Sequence, residues 1–391
     1  MKRICICFVV LMGTMYHVNA QEKLQKSTNM PRPEDEIFKQ HVEYKHPGKS
    51  GVDVFWNFGK LNAVDKKYNI RYRTGGITKD SIVGTEHQTN YYYYHSHGDS
   101  LLLTGYENQT TVMNYSQPEL LLRFPVTYGD SIGSYYYGTG KYCGKLDIIS
   151  CGSSKSVADA YGMLILPSGD TLRHVMRVHT VKLISENTRL VSEPDTVTVK
   201  GMFLDYFSSA AIQQHLDNDS VTLMVDTYKW YAAGYRYPIF ETVTTGNLRD
   251  KSKTPYFSTA FYYPPTDHEY LGNDEENKKI QKRLSKEDLN NRGNENKHSK
   301  NPMLDDLAFR YNFYPNPVQT TLLVEYYIFK EAMICYELYN LSGMLIYRTN
   351  PEKMQGGTHE YQIDMRQHAE GTYILRVRVN EKIYNEKIIK K

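Results

Sequence analysis

The chain has 391 residues, a formal net charge of +3, 35 tyrosines against 2 tryptophans, and 5 cysteines. A near-neutral chain with no concentrated basic stripe argues against nucleic acid as partner, and so few cysteines exclude a disulfide framework. Length suggests two or three domains, and tyrosine suits strands whose rings pack while their hydroxyls stay wet.

Met1 to Ala20 reads as a signal peptide. Lys2 and Arg3 form a basic start, Ile4 to Met12 an apolar run, and Val18-Asn19-Ala20 the small residues before a cut. Cleavage is expected between Ala20 and Gln21. The apolar run is too short for a stable membrane helix, and no later stretch is long and apolar enough, so no transmembrane span is expected. Residues 21–47 are a polar lead-in, with one strand at Ile37 to Tyr44.

Residues 48–266 carry strand after strand: Val52 to Phe58, Ile70 to Tyr72, Tyr91 to His95, Leu101 to Tyr106, Thr110 to Tyr115, Leu120 to Val126, Ser134 to Tyr137, Lys145 to Ile149, Tyr161 to Leu166, His174 to Ile184, Val221 to Tyr231 and Pro238 to Thr244. Gly, Asn, Asp and Ser cluster between them, and only Ala210 to Leu216 has a helical look. No helices alternate with the strands, so the body is expected to be all-β, as one or two β-sandwiches. Residues 267–307 are rich in Asn, Lys and Glu with few large apolar groups and are expected to be a disordered linker.

Residues 308–391 read as a separate small β-module. Tyr314-Pro315-Asn316-Pro317 cannot be helix, because each proline fixes its φ and extends the residue before it. Strands follow at Thr320 to Tyr327, Ala332 to Tyr339, Met344 to Tyr347, His359 to Met365, Gly371 to Val379 and Lys382 to Lys390, with a turn at Asn340-Leu341-Ser342-Gly343. The ordered set Tyr314-Pro-Asn-Pro317, Tyr339-Asn-Leu-Ser-Gly343, Gly356-Gly357, Gly371-Thr-Tyr373 and Lys387-Ile-Ile-Lys390 resembles the C-terminal sorting domain of the type IX (Por) secretion system of Bacteroidetes. That resemblance covers about a fifth of the chain. It implies an immunoglobulin-like sandwich of seven strands, read by outer-membrane secretion machinery, with the cargo passing through the periplasm to the surface or the medium, and often attached to surface lipopolysaccharide. The sorting motif would be carried by Tyr314, Pro315, Asn316, Pro317, Gly343, Gly371 and Tyr373. The body resembles uncharacterised exported proteins of the same route, at Val42 to Gly48, Ala160 to Pro167 and Lys229 to Pro238, and that likeness implies no activity.

Few residues of the body point to chemistry. His95-Ser96-His97-Gly98-Asp99 has a metal-ligand look, but Ser100 stands where the metallo-β-lactamase pattern needs histidine, and the stretch reads instead as a polar strand end and turn, with no metal expected. Gly-x-Ser-x-Gly, a Walker loop and His-Glu-x-x-His are absent, and no cofactor is expected. The aromatic groups Tyr91, Tyr92, Tyr93, Tyr94 and Trp230, Tyr231, Tyr235, Arg236, Tyr237 are candidates for stacking on a sugar, against the alternative that they are core. Cys143 and Cys151 bridge if the chain between them turns back, and cannot if it runs straight, since eight extended residues span roughly 26 Å. Ser81, Ser100, Ser131, Thr171, Thr196 and Ser220 each follow an Asp and precede an aliphatic residue. That resembles the O-glycosylation sequon of exported proteins of these bacteria, and equally a turn leading into a strand. The expected function is a non-catalytic glycan- or protein-binding module; the alternative is a secreted glycoside or peptide hydrolase whose site forms only in space.

Overall fold

The computed structural model describes residues 23–75, 81–96, 99–190, 208–218, 223–247, 255–294 and 309–391. The signal segment with Ala20 and Gln21, and also His97, Thr196 and Ser220, lie outside the described residues.

Twelve strands of the body close on themselves. From Thr171–Leu190 the order is Leu223–Ala232, Phe240–Asn247, Phe257–Tyr262, Glu36–Val42, Ala63–Thr74, Ser81–Glu86, Thr89–Ser96, Ser100–Glu107, Thr111–Arg123, Ser131–Tyr142 and Leu146–Ile165, which pairs again with Thr171–Leu190. Every pairing around this ring is antiparallel. The all-β class stands, with the body's sheet closed as a barrel instead of split into sandwiches. Alternation along a strand is the same in both, and closure removes the exposed edges that an open sheet must protect.

Glycines mark where inward tyrosines lie flat on the wall. A Cβ on Gly138 would sit 2.2 Å from the Tyr115 ring, and one on Gly84 would sit 2.9 Å from Tyr72 and 3.0 Å from Tyr93. Ring and glycine face each other across paired strands, so the missing side chain is the space the ring fills. The outer wall is polar here: Arg71 pairs with Glu36 at 3.1 Å and the Tyr92 hydroxyl donates to Glu107 at 2.7 Å. This differs from the apolar band of a barrel standing in lipid. Among the described residues no helix is long and apolar enough to cross a membrane.

One end of the barrel is plugged. Leu24 and Met30 flank the short helix Lys26–Asn29 and pack with Leu101, Leu122, Phe124 and Val126. Behind them lie two 3-10 turns, Pro265–Asp267 and Glu269–Asn273, and the helix Glu275–Asn294. This corrects part of the expected linker. Tyr270 and Asp274 are buried, and the Asn277 amide donates to the Thr28 carbonyl at 2.9 Å, so the first part of the segment is docked on the body by polar groups a hydrophobicity reading overlooks. Residues 295–308 lie outside the described residues.

One open alternative is decided and one expectation changes. Cys143 and Cys151 form no disulfide: Cys143 is exposed on the hairpin turn at φ 51°, whereas Cys151 is buried within the long strand beneath the helix Ser209–Asn218. The strand between them runs straight from Leu146, which keeps them apart. That strand has 20 residues and joins two segments expected to be separate.

The C-terminal module is a two-sheet sandwich. One sheet holds Phe309–Tyr314, Thr321–Ile328 and Gly357–Asp364. The other holds Ala332–Asn340, Leu345–Arg348, Glu352–Met354, Gly371–Val379 and Lys382–Lys390, one short strand beyond the seven implied by resemblance. Leu322, Val324, Ile334, Leu338, Leu375, Val377 and Ile388 fill the core. The motif residues hold it shut. Asn316 donates to the Lys387 carbonyl and accepts from the Ile389 amide, both at 2.8 Å, tying the start of the module to its last strand. Gly343 takes φ +79° in the turn, where glycine alone is unstrained. The Tyr373 hydroxyl donates to the Ala369 carbonyl at 2.8 Å.

Candidate functional site in the barrel interior

Side chains alternating inward along the ring converge on a polar interior. Lys229 stands 3.7 Å from Glu241, which also accepts the Tyr263 hydroxyl at 2.7 Å. One wall away Lys39 pairs with Glu86 at 2.5 Å and lies 4.2 Å over the Phe261 ring. Across the barrel Lys182 pairs with Glu119 at 2.6 Å and lies 4.5 Å from the Tyr136 ring centroid. Each buried charge thus has an opposite charge beside it, as desolvation requires.

Between these pairs runs a file of tyrosines. Ring centroids step from Tyr72 to Tyr93 at 6.3 Å, to Tyr91 at 6.5 Å, to Tyr106 at 6.5 Å, to Tyr115 at 6.5 Å and to Tyr136 at 5.5 Å. Burial first, then neighbouring tyrosines and carboxylates, push the Tyr93 and Tyr115 hydroxyls up, so they remain neutral donors.

Lys229 is the most exposed of the six charged side chains. Strands surround this lysine, and Glu241 raises its pKa, yet 41% of its side-chain surface remains open to solvent. Burial works to raise the Glu241 carboxyl, but Lys229, Lys39 and the Tyr263 hydroxyl outweigh it and hold the group below its ordinary range. Lys229 is paired across the ladder with Val178, which lines a cavity of about 310 Å³ together with Leu122, Phe124, Ile132, Ser156 and Ala158. The Ser156 and Thr180 hydroxyls meet there at 2.8 Å.

Of the residues singled out by sequence, Tyr91 and Tyr93 enter this interior. Tyr92 faces outward to Glu107, and the Tyr94 side chain lies outside the described residues. The second aromatic group does not form a rim for stacking. Trp230 is fully buried on the outer side of the wall, against Trp56, Phe58 and Phe240, while Tyr231 packs inward with Met176. Arg236 and Tyr237 are buried at the plugged end, and Tyr235 is half-buried beside them. The tract Lys229 to Tyr237 is thereby mostly core, because its strand has protein on both faces. Asp99 pairs with Lys26 at 2.8 Å. Ser131 and Thr171 are exposed and Ser81 is half-buried, but Ser100 is buried, which takes its hydroxyl away from any glycan in the folded chain. Lys39, Glu86, Glu119, Lys182, Lys229 and Glu241 escaped the sequence reading. They lie on six different strands, so no local spacing announces them.

Comparison with known proteins bears on the C-terminal module. Residues 312–391 match the family described as the secretion system C-terminal sorting domain. The chain is therefore a cargo of type IX secretion: this module engages the secretion machinery, and the protein is delivered to the cell surface or the medium. No curated protein matches the chain. Among solved structures, dimeric latent PorU from Porphyromonas gingivalis is similar at 9% identity, over 92% of this chain and 34% of that one, with a TM-score of 0.20. The chain thus spans about a third of that protein, and a likeness so slight carries no argument.

Proposed function

We propose that the body is a non-catalytic binding module, carried outside the cell by its sorting domain, and that it takes a glycan segment into the barrel interior. The observation behind this reading is Lys229: a cation set among strands, its side chain 41% exposed, with Tyr93 and Tyr231 close enough to act on it. Neutral tyrosines stack on the apolar face of a sugar, while the lysine–glutamate pairs present donors and acceptors to its hydroxyls. Hydrolysis is the less favoured reading. A glycosidase needs one carboxyl kept protonated near neutral pH, whereas lysines hold Glu241 in its charged form.

The test is calorimetric titration of the mature full-length protein with oligosaccharides chosen from a glycan array. Binding should weaken about fivefold or more in Tyr91→Ala, since stacking contacts are worth roughly 1 kcal/mol each or above. An array with no hits, together with turnover of any polysaccharide or peptide, would reverse the assignment in favour of the hydrolase.

A further inference from the structure

The tract Val42 to Gly51 plays no part in the barrel interior, and its polar groups face two ways. Towards the body, the Pro47 carbonyl accepts from the Trp56 indole at 3.0 Å and from Arg177 at 2.5 Å. Arg177 also donates to the Lys49 carbonyl at 3.0 Å, is 1% exposed, and is neutralised by Asp159 at 2.7 Å. Its guanidinium lies 4.9 Å from the Tyr228 ring centroid. The loop is thus bolted to the barrel wall by its own carbonyls.

Towards the sorting domain the same loop presents cations and amides. Lys45 reaches Glu325 at 2.7 Å, and that carboxylate is 1% exposed. Lys49 reaches Glu386 at 2.8 Å and sits 3.5 Å over the Tyr311 ring. The Lys49 amide donates to the Asn312 side chain at 2.7 Å, and the His46 ring stacks on Tyr314. Gly48, at φ +74°, lets Asn312 approach so closely that a Cβ there would lie 2.0 Å from its amide nitrogen. Beside the loop, Val54 of Gly51–Asn57 pairs in parallel with Tyr311, and Phe55 meets Tyr327 at 5.9 Å. The barrel's sheet therefore continues into the sorting domain.

From these contacts we propose that Lys45 to Gly51 is a docking clasp for this chain's own sorting domain, and that the clasp keeps that domain bound to the body after the connecting chain is cut. Buried opposite charges, side-chain-to-amide hydrogen bonds and a shared sheet edge do not depend on the covalent tether. Tethering raises the effective concentration of the two parts and does not create the interface. A cut between the two parts is then separable from release: the domain leaves only when something competes for Glu325, Glu386 and Asn312.

The experiment uses the full mature chain with a specific protease sequence inserted between Lys300 and Asn301. After cleavage at micromolar concentration and 0.15 M salt, size-exclusion chromatography should show both pieces eluting together. Lys45→Ala with Lys49→Ala should weaken their association at least about a hundredfold, because the first change strips the buried Glu325 carboxylate of its cation and the second removes the cation from the half-buried Glu386, and the pieces should then separate. Lys49→Glu should separate them too, and adding Glu386→Lys should restore co-elution, which a folding defect would not allow. Separation of the cut wild-type pieces overturns the proposal. So does undiminished co-elution of the double alanine variant, or failure of the charge swap to restore it.

Discussion

The Arg236 guanidinium and the Asp274 carboxylate meet in two parallel hydrogen bonds of 2.8 and 2.9 Å, with neither side chain more than 2% exposed. One partner belongs to the barrel and the other to a segment whose composition promises disorder. Arg236 also donates to the carbonyls of Ser27 and Met30, so a single cation joins the N-terminal plug, the barrel and the helix Glu275–Asn294.

Asp274→Ala should therefore cost roughly 3–5 kcal/mol, the loss typical when one partner of a buried pair is left alone. Urea denaturation checks this. Burial works to raise the Asp274 carboxyl, but hydrogen bonds from Arg236 and Asn277 outweigh it and lower the pKa. The pair's stabilisation is complete above the unfolded carboxylate value of about 4 and is lost as pH falls through the lower folded value. Hydrogen exchange of residues 275–287 should rise first at acid pH.

His268, in the same plug, carries a second pH dependence. Burial pushes its imidazole down to about 4. Above about pH 6.5 the ring is neutral in folded and unfolded chains alike. Between about 6.5 and 4 only the unfolded chain takes up the proton, so folding stability drops by on the order of 3 kcal/mol. Thermal unfolding across this range should show a decline that His268→Gln flattens; equal slopes in both proteins would refute the assignment.

Gly138→Ala should destabilise the barrel by about 1–3 kcal/mol through overpacking. The added Cβ would meet the Tyr115 ring at 2.2 Å and the Asn114 carbonyl at 2.8 Å. Gly133→Ala on the same strand is the control, since its nearest neighbour is 3.7 Å away. Comparable denaturation midpoints for the two variants would contradict the ring-on-glycine packing.

Asn316→Ala should loosen the sorting domain, because it removes both hydrogen bonds that bind the motif to the last strand. A loss of about 1–3 kcal/mol is expected. Immunoblots of cell surface and medium should show less exported protein, and unchanged levels would mean that this tie is dispensable for export.

Much of this protein is legible in its residues, and the limits have physical causes. Every strand of the sorting domain from Thr321 onward, apart from Glu352–Met354, falls within a few residues of where alternation puts it. That module is small, with one face of each strand in a dry core, so pattern and burial coincide. The strand Leu146–Ile165 was harder to see because its middle reads Cys-Gly-Ser-Ser-Lys-Ser. Its inner face is small because Tyr136 lies over Gly152, and Lys182 and Thr180 occupy the facing positions.

Local residue patterns alone determined the all-β class and the export label, since these follow from near neighbours in the chain. Closure of twelve strands into a ring, the meeting of Lys229 with Glu241 and Lys39 with Glu86, the bolt between Arg236 and Asp274, and the clasp around Gly48 were decided only by the tertiary structure. Each joins residues from separate elements. The free energy of such pairs exists only once the barrel has brought them within a few ångströms of each other in low dielectric.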